Sequence, residues 1–212
     1  MGEVTSLQTG TIQVPEDRIT SIYDPDKVEE LKNSIKESGI LQPLWVLQLG
    51  TDYILVDGLH RLIAAQELGL TEVPCLVRPG TETEVLVKNL TLNRQRGRSN
   101  PAQEAKIIKS LQSERSLPVA TIASLTGISD AKIRELLEIS TLQPEVLAMV
   151  ESGSLHLGAA VHLAKIIDAT AQVQCARDTV NWRYTEDQTR ARVQDILAPK
   201  PVPKPGDTVF TP

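Results

Sequence analysis

Val56-Asp57-Gly58-Leu59-His60-Arg61-Leu62-Ile63-Ala64-Ala65-Gln66-Glu67-Leu68-Gly69 leaves one apolar segment through a tight turn and enters another, and its reading decides how the first half of the chain folds. Tyr53-Ile54-Leu55-Val56, just before the turn, is aromatic and β-branched as strands are, whereas Leu62 to Leu68 is made largely of strong helix formers and stops at Gly69. The unit reads as strand, turn, helix. A helix N-terminus presents backbone N–H groups without intrahelical partners and a partial positive charge, which together suit phosphate. Gly58 lets the backbone approach a ligand with no Cβ in the way, and His60 and Arg61 add donors. The same five residues are also consistent with a plain turn in which Asp57 caps the helix and Gly58 reverses the chain.

The flanking sequence extends this unit to a small domain of alternating strands and helices. Thr11-Ile12-Gln13-Val14 has the two-residue period of a half-buried strand. Asp24-Pro25 offers an N-cap with proline in the first helical position, Val28, Leu31 and Ile35 supply an apolar stripe, and Gly39 suits a left-handed stop. Leu44 to Gln48 and Tyr53 to Val56, joined by Leu49-Gly50-Thr51-Asp52, predict a hairpin. Val73-Pro74-Cys75-Leu76-Val77 predicts another strand, with Pro74 marking an edge or a strand start. After Pro79-Gly80 the strand signal ends and short helices follow.

Asn100-Pro101 opens a helix through Ala105, Ile108 and Leu111 to about Arg115, where Leu117-Pro118 breaks it. Val119 to Ile139 then holds two short apolar stretches joined by Thr126-Gly127-Ile128-Ser129, the spacing of a helix-turn-helix. Ile122, Ala123 and Leu125 are expected to pack the first helix, Gly127 to make the turn, Ser129 to cap the second helix, and Ile133, Leu136 and Leu137 to face the core. Ser129, Asp130, Lys132 and Arg134 would then stand where recognition helices meet base edges. An ordinary helical hairpin has the same pattern. Further helices are expected over Pro144 to Glu151, Leu157 to Asp168 and Thr185 to Leu197. The fold class is α+β: a mixed α/β domain over 1–98, an all-α domain over 99–197, and a Pro-rich tail over 198–212 expected to be mobile.

Composition narrows the function classes. The 212 residues are 41% hydrophobic, enough for real cores, yet only 3% aromatic, so stacking platforms for single-stranded nucleic acid are not expected. The formal net charge is -5, but Lys88, Arg94, Arg96 and Arg98 form a basic stripe with no acid between Glu84 and Glu104. Such a run faces solvent, a nucleotide or a DNA backbone. Cys75 and Cys175 form no Cys-x-x-Cys pair, and His156 and His162 have no carboxylate or thiol at ligand spacing, so no metal site is expected. Walker and dinucleotide phosphate loops are absent, as is any recognisable Ser/His/Asp nucleophile. The N-terminus has no signal-peptide pattern and no apolar run is long enough for a membrane span, which together predict a soluble, cytoplasmic protein.

Taken in order, these pieces resemble the ParB family across roughly Thr11 to Asp168. Asp17-Arg18-Ile19, Leu31-Lys32-Asn33-Ser34-Ile35 and Gly39-Ile40-Leu41-Gln42-Pro43-Leu44 look like the family's start, where a Gly-x-x-Gln-Pro loop borders the nucleotide pocket. Gly58-Leu59-His60-Arg61-Leu62-Ile63-Ala64-Ala65 sits where the family carries a Gly-Glu-Arg-Arg box. Asn93-Arg94-Gln95-Arg96 followed by Asn100-Pro101 sits at its Glu-Asn-x-Gln-Arg and Asn-Pro motifs. Ile122 to Leu137 looks like its helix-turn-helix, and Gln143-Pro144-Glu145-Val146 with Gly153-Ser154-Leu155 like the segment that follows. The resemblance implies a ParB/sulfiredoxin-like first domain that binds CTP through Gly39, Gln42, Gly58, His60, Arg61, Asn93 and Arg96. It also implies specific recognition of double-stranded DNA through Ser129, Asp130, Lys132 and Arg134, with Arg94 and Arg98 on DNA phosphates. Plasmid or chromosome partition and local transcription control both fit. A homodimer, through the first domain or the last helix, and a partition ATPase as partner are further expectations.

The chain departs from the family pattern at three positions. Leu59 and His60 replace the acidic residue and the first arginine of the box, and Leu92 stands where a metal-binding glutamate precedes Asn93. A leucine cannot coordinate Mg²⁺, so metal-assisted CTP hydrolysis lacks its acidic ligand. Gly58-Leu59-His60-Arg61 is also similar to the sulfiredoxin Gly-Cys-His-Arg box, but Leu59 removes the nucleophile. Val56-Asp57-Gly58-Leu59-His60-Arg61 looks like the Asp-Gly-His-His-Arg box of ParB-like free-serine kinases, which leaves a phosphotransferase as the rival reading.

Overall fold

Leu44-Trp45-Val46-Leu47 and Ile54-Leu55-Val56 carry apolar residues at consecutive positions, so the hairpin they form must be covered on both faces. It is. A computed structural model describes residues 3–15, 25–97 and 100–198. Strands β1 (Glu3–Gln8), β2 (Ile12–Gln13), β3 (Leu44–Leu49), β4 (Asp52–Asp57) and β5 (Glu72–Pro79) form one sheet in the order β1-β5-β3-β4-β2. The β1/β5 and β3/β4 pairs are antiparallel, and β3/β5 and β2/β4 parallel. Helices α1 (Pro25–Ser38) and α2 (Leu59–Glu67) cover one face: Leu44, Val46, Leu55, Val73 and Cys75 meet Leu62 and Ala65, while Val28 and Ile35 of α1 pack with Ala64. On the other face Leu47 and Val56 meet Val85 of α3 (Glu82–Gln95), with Trp45, Ile54 and Leu92 partly buried beside them.

Three expectations about this half change. The first strand, β1, precedes the expected one; only Leu7 is buried among its residues 4–8, so it shows no apolar alternation. Thr11 lies in a short 3₁₀ turn and only Ile12–Gln13 pair, so the strand expected over 11–14 is shorter. Pro74 sits inside a central strand, tolerated because β3 joins β5 only from Cys75 onward. The hairpin and α2 stand as expected, and Gly39, at φ 70°, closes α1 in the left-handed conformation.

Helices α4 (Pro101–Ser113), α5 (Val119–Thr126) and α6 (Asp130–Ile139) follow, with Asn100 capping α4 through bonds from the Ala102 and Gln103 N–H groups. The chain packs as two compact units, Met1–Ser140 and Thr141–Pro212. Within the first, α4 packs against α3 as well as α6, which joins the helix-turn-helix to the sheet.

The second unit comprises α7 (Pro144–Glu151), α8 (Leu157–Leu163), α9 (Ala169–Asn181) and α10 (Glu186–Leu197). Gln172, 3% exposed, ties three of these elements together: its Oε1 accepts from the Gln143 N–H at 2.8 Å and its Nε2 donates to the Leu163 and Ile166 carbonyls. Helix α9 was not expected, and the helix anticipated from Leu157 to Asp168 ends at Leu163. The buried residues of α9 are Gln172, Cys175, Ala176 and Thr179, too polar and small to give an apolar stripe, and Asp168 is its N-cap. The expected tail lies outside the described residues apart from Ala198, as do Asp17, Arg18, Ile19, Asp24 and Arg98. No described helix is long and apolar enough to cross a membrane.

Candidate functional site

The turn between β4 and α2 opens into a cavity of about 650 Å³. Gly58 is its hinge. At φ 103° it occupies left-handed space, which favours glycine, and a Cβ there would crowd Leu44 Cγ at 3.1 Å and Arg61 Nη2 at 3.2 Å. It is also the N-cap of α2 and supplies no side-chain cap, which leaves the first-turn N–H groups for another acceptor. Asp57 is therefore not the cap of this helix.

The Asp57 carboxylate turns instead to two arginines. Arg96 Nη1 and Nη2 donate to Oδ1 and Oδ2 at 2.6 and 2.8 Å, and Arg61 Nη2 donates to Oδ2 at 3.3 Å. Arg96 above all, with Arg61 adding to it, holds the Asp57 carboxyl below its ordinary value against the opposing effect of burial. Burial lowers the Arg61 guanidinium, which also donates through Nη1 to the Gln42 carbonyl and, at 2.7 Å, to that of Pro43. Arg61 thus clips the Gly39–Pro43 loop onto α2.

Gln42, Gly58, His60, Arg61, Asn93 and Arg96, all assigned from the sequence to nucleotide contact, line this one cavity; Gly39 ends α1 and is not among the lining residues. Asn93, 8% exposed, donates through Nδ2 to the Asn89 carbonyl of its own helix at 2.8 Å. Lys27, Glu30, Leu31 and Ser34 of α1 complete the wall and were missed. Their signal was present: 27, 30, 31 and 34 follow helical spacing on the face beside Val28 and Ile35. Leu92 also lines the cavity and offers no ligand atom for a metal. Among the described residues no three His, Cys, Asp or Glu side chains come together.

The basic stripe is dispersed by folding. Lys88 Nζ stands 5.8 Å from the centre of the Trp45 ring, Arg96 is held by Asp57, and Arg94 Nη1 lies 2.8 and 2.7 Å from the two oxygens of Glu104. Glu104 is 1% exposed. Arg94, expected on DNA phosphates, is thus engaged within the fold, because the acid that answers it comes from the next helix.

The helix pair α5–α6 has the expected form. Gly127 is left-handed at φ 72°, and Ser129 Oγ accepts from the Lys132 N–H at 3.3 Å to cap α6. Ile122, Ile133, Leu136 and Ile139 are buried. Leu125, expected to pack, is 49% exposed; Thr126 takes the inner position, donating to the Ile122 carbonyl at 2.7 Å and accepting from the Ile128 N–H. Asp130 and Arg134 are exposed, and Lys132 pairs with Glu135 at 3.1 Å. In the second unit His162 Nε2 lies 3.5 Å from Glu186, a partner too distant in sequence for spacing to reveal.

Comparison with known proteins supports both parts. Residues 1–94 match the ParB N-terminal domain and residues 98–198 the ParB HTH domain. The chain is 34% identical over 181 residues to a probable chromosome-partitioning protein ParB of Pseudomonas putida, covering 85% of this chain and 62% of that one. It is 34% identical over 191 residues to the chromosome-partitioning protein ParB of Myxococcus xanthus, covering 90% and 64%. It therefore spans a little over three fifths of the length of these curated relatives. Among solved structures, the C-terminally truncated ParB of Caulobacter crescentus complexed to the centromeric parS site matches with a TM-score of 0.59 at 26% identity, over 90% of this chain and 99% of that chain.

Proposed function

This chain belongs to the ParB family, and from that premise we propose that it recognises a specific site in double-stranded DNA, acts in chromosome or plasmid partition or in local transcription control, and takes CTP in the cavity at Gly58. The observation that carries the reading is the α5–Gly127–α6 unit. Ser129 caps α6 so that Asp130, Lys132 and Arg134 occupy its first two turns, where a recognition helix presents side chains to base edges. Arg134, exposed, and Lys132 are suited to guanine, and Asp130 to a cytosine amino group. The similar Caulobacter crescentus protein was captured on DNA, which supports carrying the role over. Arg98 is assigned to a DNA phosphate.

The nucleotide assignment is supported by the first turn of α2, whose N–H groups meet a cradle that a Cβ at Gly58 would fill, and by the guanidinium groups of Arg61 and Arg96 beside it. CTP supplies the phosphates for these donors; His60, Gln42 and Asn93 are left to orient the rest of the ligand. A homodimer and a partition ATPase partner belong to the same proposal. The test is selection from a random duplex library at fixed salt, with and without CTP and Mg²⁺. An enriched site, lost in Lys132→Ala or Arg134→Ala, is the expected result. No enrichment under either condition overturns DNA recognition and brings the phosphotransferase reading forward.

A further inference from the structure

We propose that Asp57 is an internal competitor for the anion position of the cavity, so that a phosphate ligand binds there only by displacing it. The inference rests on the nucleotide reading above and deepens it. Arginine takes phosphate through paired N–H···O bonds, the same geometry in which it takes a carboxylate. Arg96 already makes that pair with Asp57, at 2.6 and 2.8 Å, and Arg61 adds a third contact at 3.3 Å. The Asp57 and Arg61 side chains are only 17% and 15% exposed, and all three groups line one cavity. The position between the two guanidiniums is therefore filled by the chain's own anion.

Asp57 ends β4, Arg61 lies on α2 and Arg96 directly follows α3, so the carboxylate is fixed in place by the fold. It competes as a tethered group, at an effective concentration on the order of millimolar or higher, and gives up no translational freedom when it rebinds. A phosphate ligand makes the contacts that Asp57 already makes, so displacing the carboxylate offsets part of its binding energy. Once displaced, the carboxylate stays in the cavity and repels the anion that has replaced it. Binding of both CTP and CMP is weakened.

The test is calorimetric titration of the full chain with CTP and with CMP at fixed salt, in wild type, Asp57→Asn and Asp57→Ser, each checked for a native melt. Both variants are expected to bind CTP and CMP at least about tenfold more tightly, the value of one charge-assisted contact. Wild type binding CTP while both variants bind it equally or more weakly would show that Asp57 orients the arginines and does not compete. If neither wild type nor either variant binds CTP, the nucleotide reading itself fails and the competition falls with it.

Discussion

Replacing Arg94 by methionine should destabilise this protein more than replacing Glu104 by glutamine, although both changes break one ion pair. Arg94 Nη1 lies 2.8 and 2.7 Å from the two Glu104 oxygens. The partners differ in what they face when left alone: the Glu104 side chain is 2% exposed and that of Arg94 35%. In Arg94→Met a carboxylate is stranded away from water, which costs about 3–5 kcal/mol. In Glu104→Gln an acceptor oxygen remains and the guanidinium has water on one side, so the loss is about 1–2 kcal/mol. At roughly 2–4 °C per kcal/mol for a chain of this size, the first variant should melt roughly 6–20 °C lower and the second roughly 2–8 °C lower. The double variant Arg94→Met/Glu104→Leu should recover much of the loss, because it removes the stranded charge and fills its space. Thermal unfolding followed by circular dichroism at pH 7 and constant salt measures all three. If Glu104→Gln melts as low as Arg94→Met, or the double variant is no more stable than Arg94→Met, the assignment of Arg94 to holding α4 on α3 is wrong.

Gly58→Ala forces a Cβ into left-handed space 3.1 Å from Leu44; a loss of about 1–3 kcal/mol and of CTP binding is expected, and an unchanged melt with unchanged titration would contradict it. Lys132→Ala and Arg134→Ala should each weaken binding to the selected site by about 1–3 kcal/mol and binding to unrelated duplex much less; an equal loss on both duplexes, read by fluorescence anisotropy, would move base reading elsewhere. Asp57 has a folded pKa held below its ordinary 3.8, so its contribution to stability is fully present above about that pH and is lost as pH falls through the lower folded value. The stability difference between wild type and Asp57→Asn should accordingly narrow in acid, and a difference that persists unchanged to pH 2 would exclude an ionised Asp57 as its source.

Elements with a dense local code were legible in the sequence. The β3–β4 hairpin, the α2 turn and the α5–α6 pair each join an apolar run to a turn residue whose conformation is nearly forced, at Gly50, Gly58 and Gly127. Elements stabilised mainly by what they pack against were not. Strand β1 exists because β5 offers it an edge, and α9 buries Gln172 and Thr179 where a stripe of Leu or Ile would have announced it. Helix α3 falls between: Thr81 and Glu84 form a capping box that the sequence displays, but the run of Lys and Arg after it drew the reading toward charge.

The same division explains the candidate site. Nearly all residues assigned to the cavity from the sequence do line it, because Gly58, His60 and Arg61 lie on one turn and Asn93 and Arg96 at one helix end. Their electrostatic meaning was not legible. Linear sequence shows Lys88 to Arg98 free of acids, yet Asp57 reaches Arg96 from 39 residues away and Glu104 reaches Arg94 from the following helix. A cation paired with a carboxylate contributes little to a long-range field, so Arg94 and Arg96 are poor sources of attraction for a duplex. Docking of DNA on α6 would then draw its specificity from Arg134 and its neighbours, while Arg61 and Arg96 stay paired with an anion whether Asp57 or a ligand phosphate occupies the position between them.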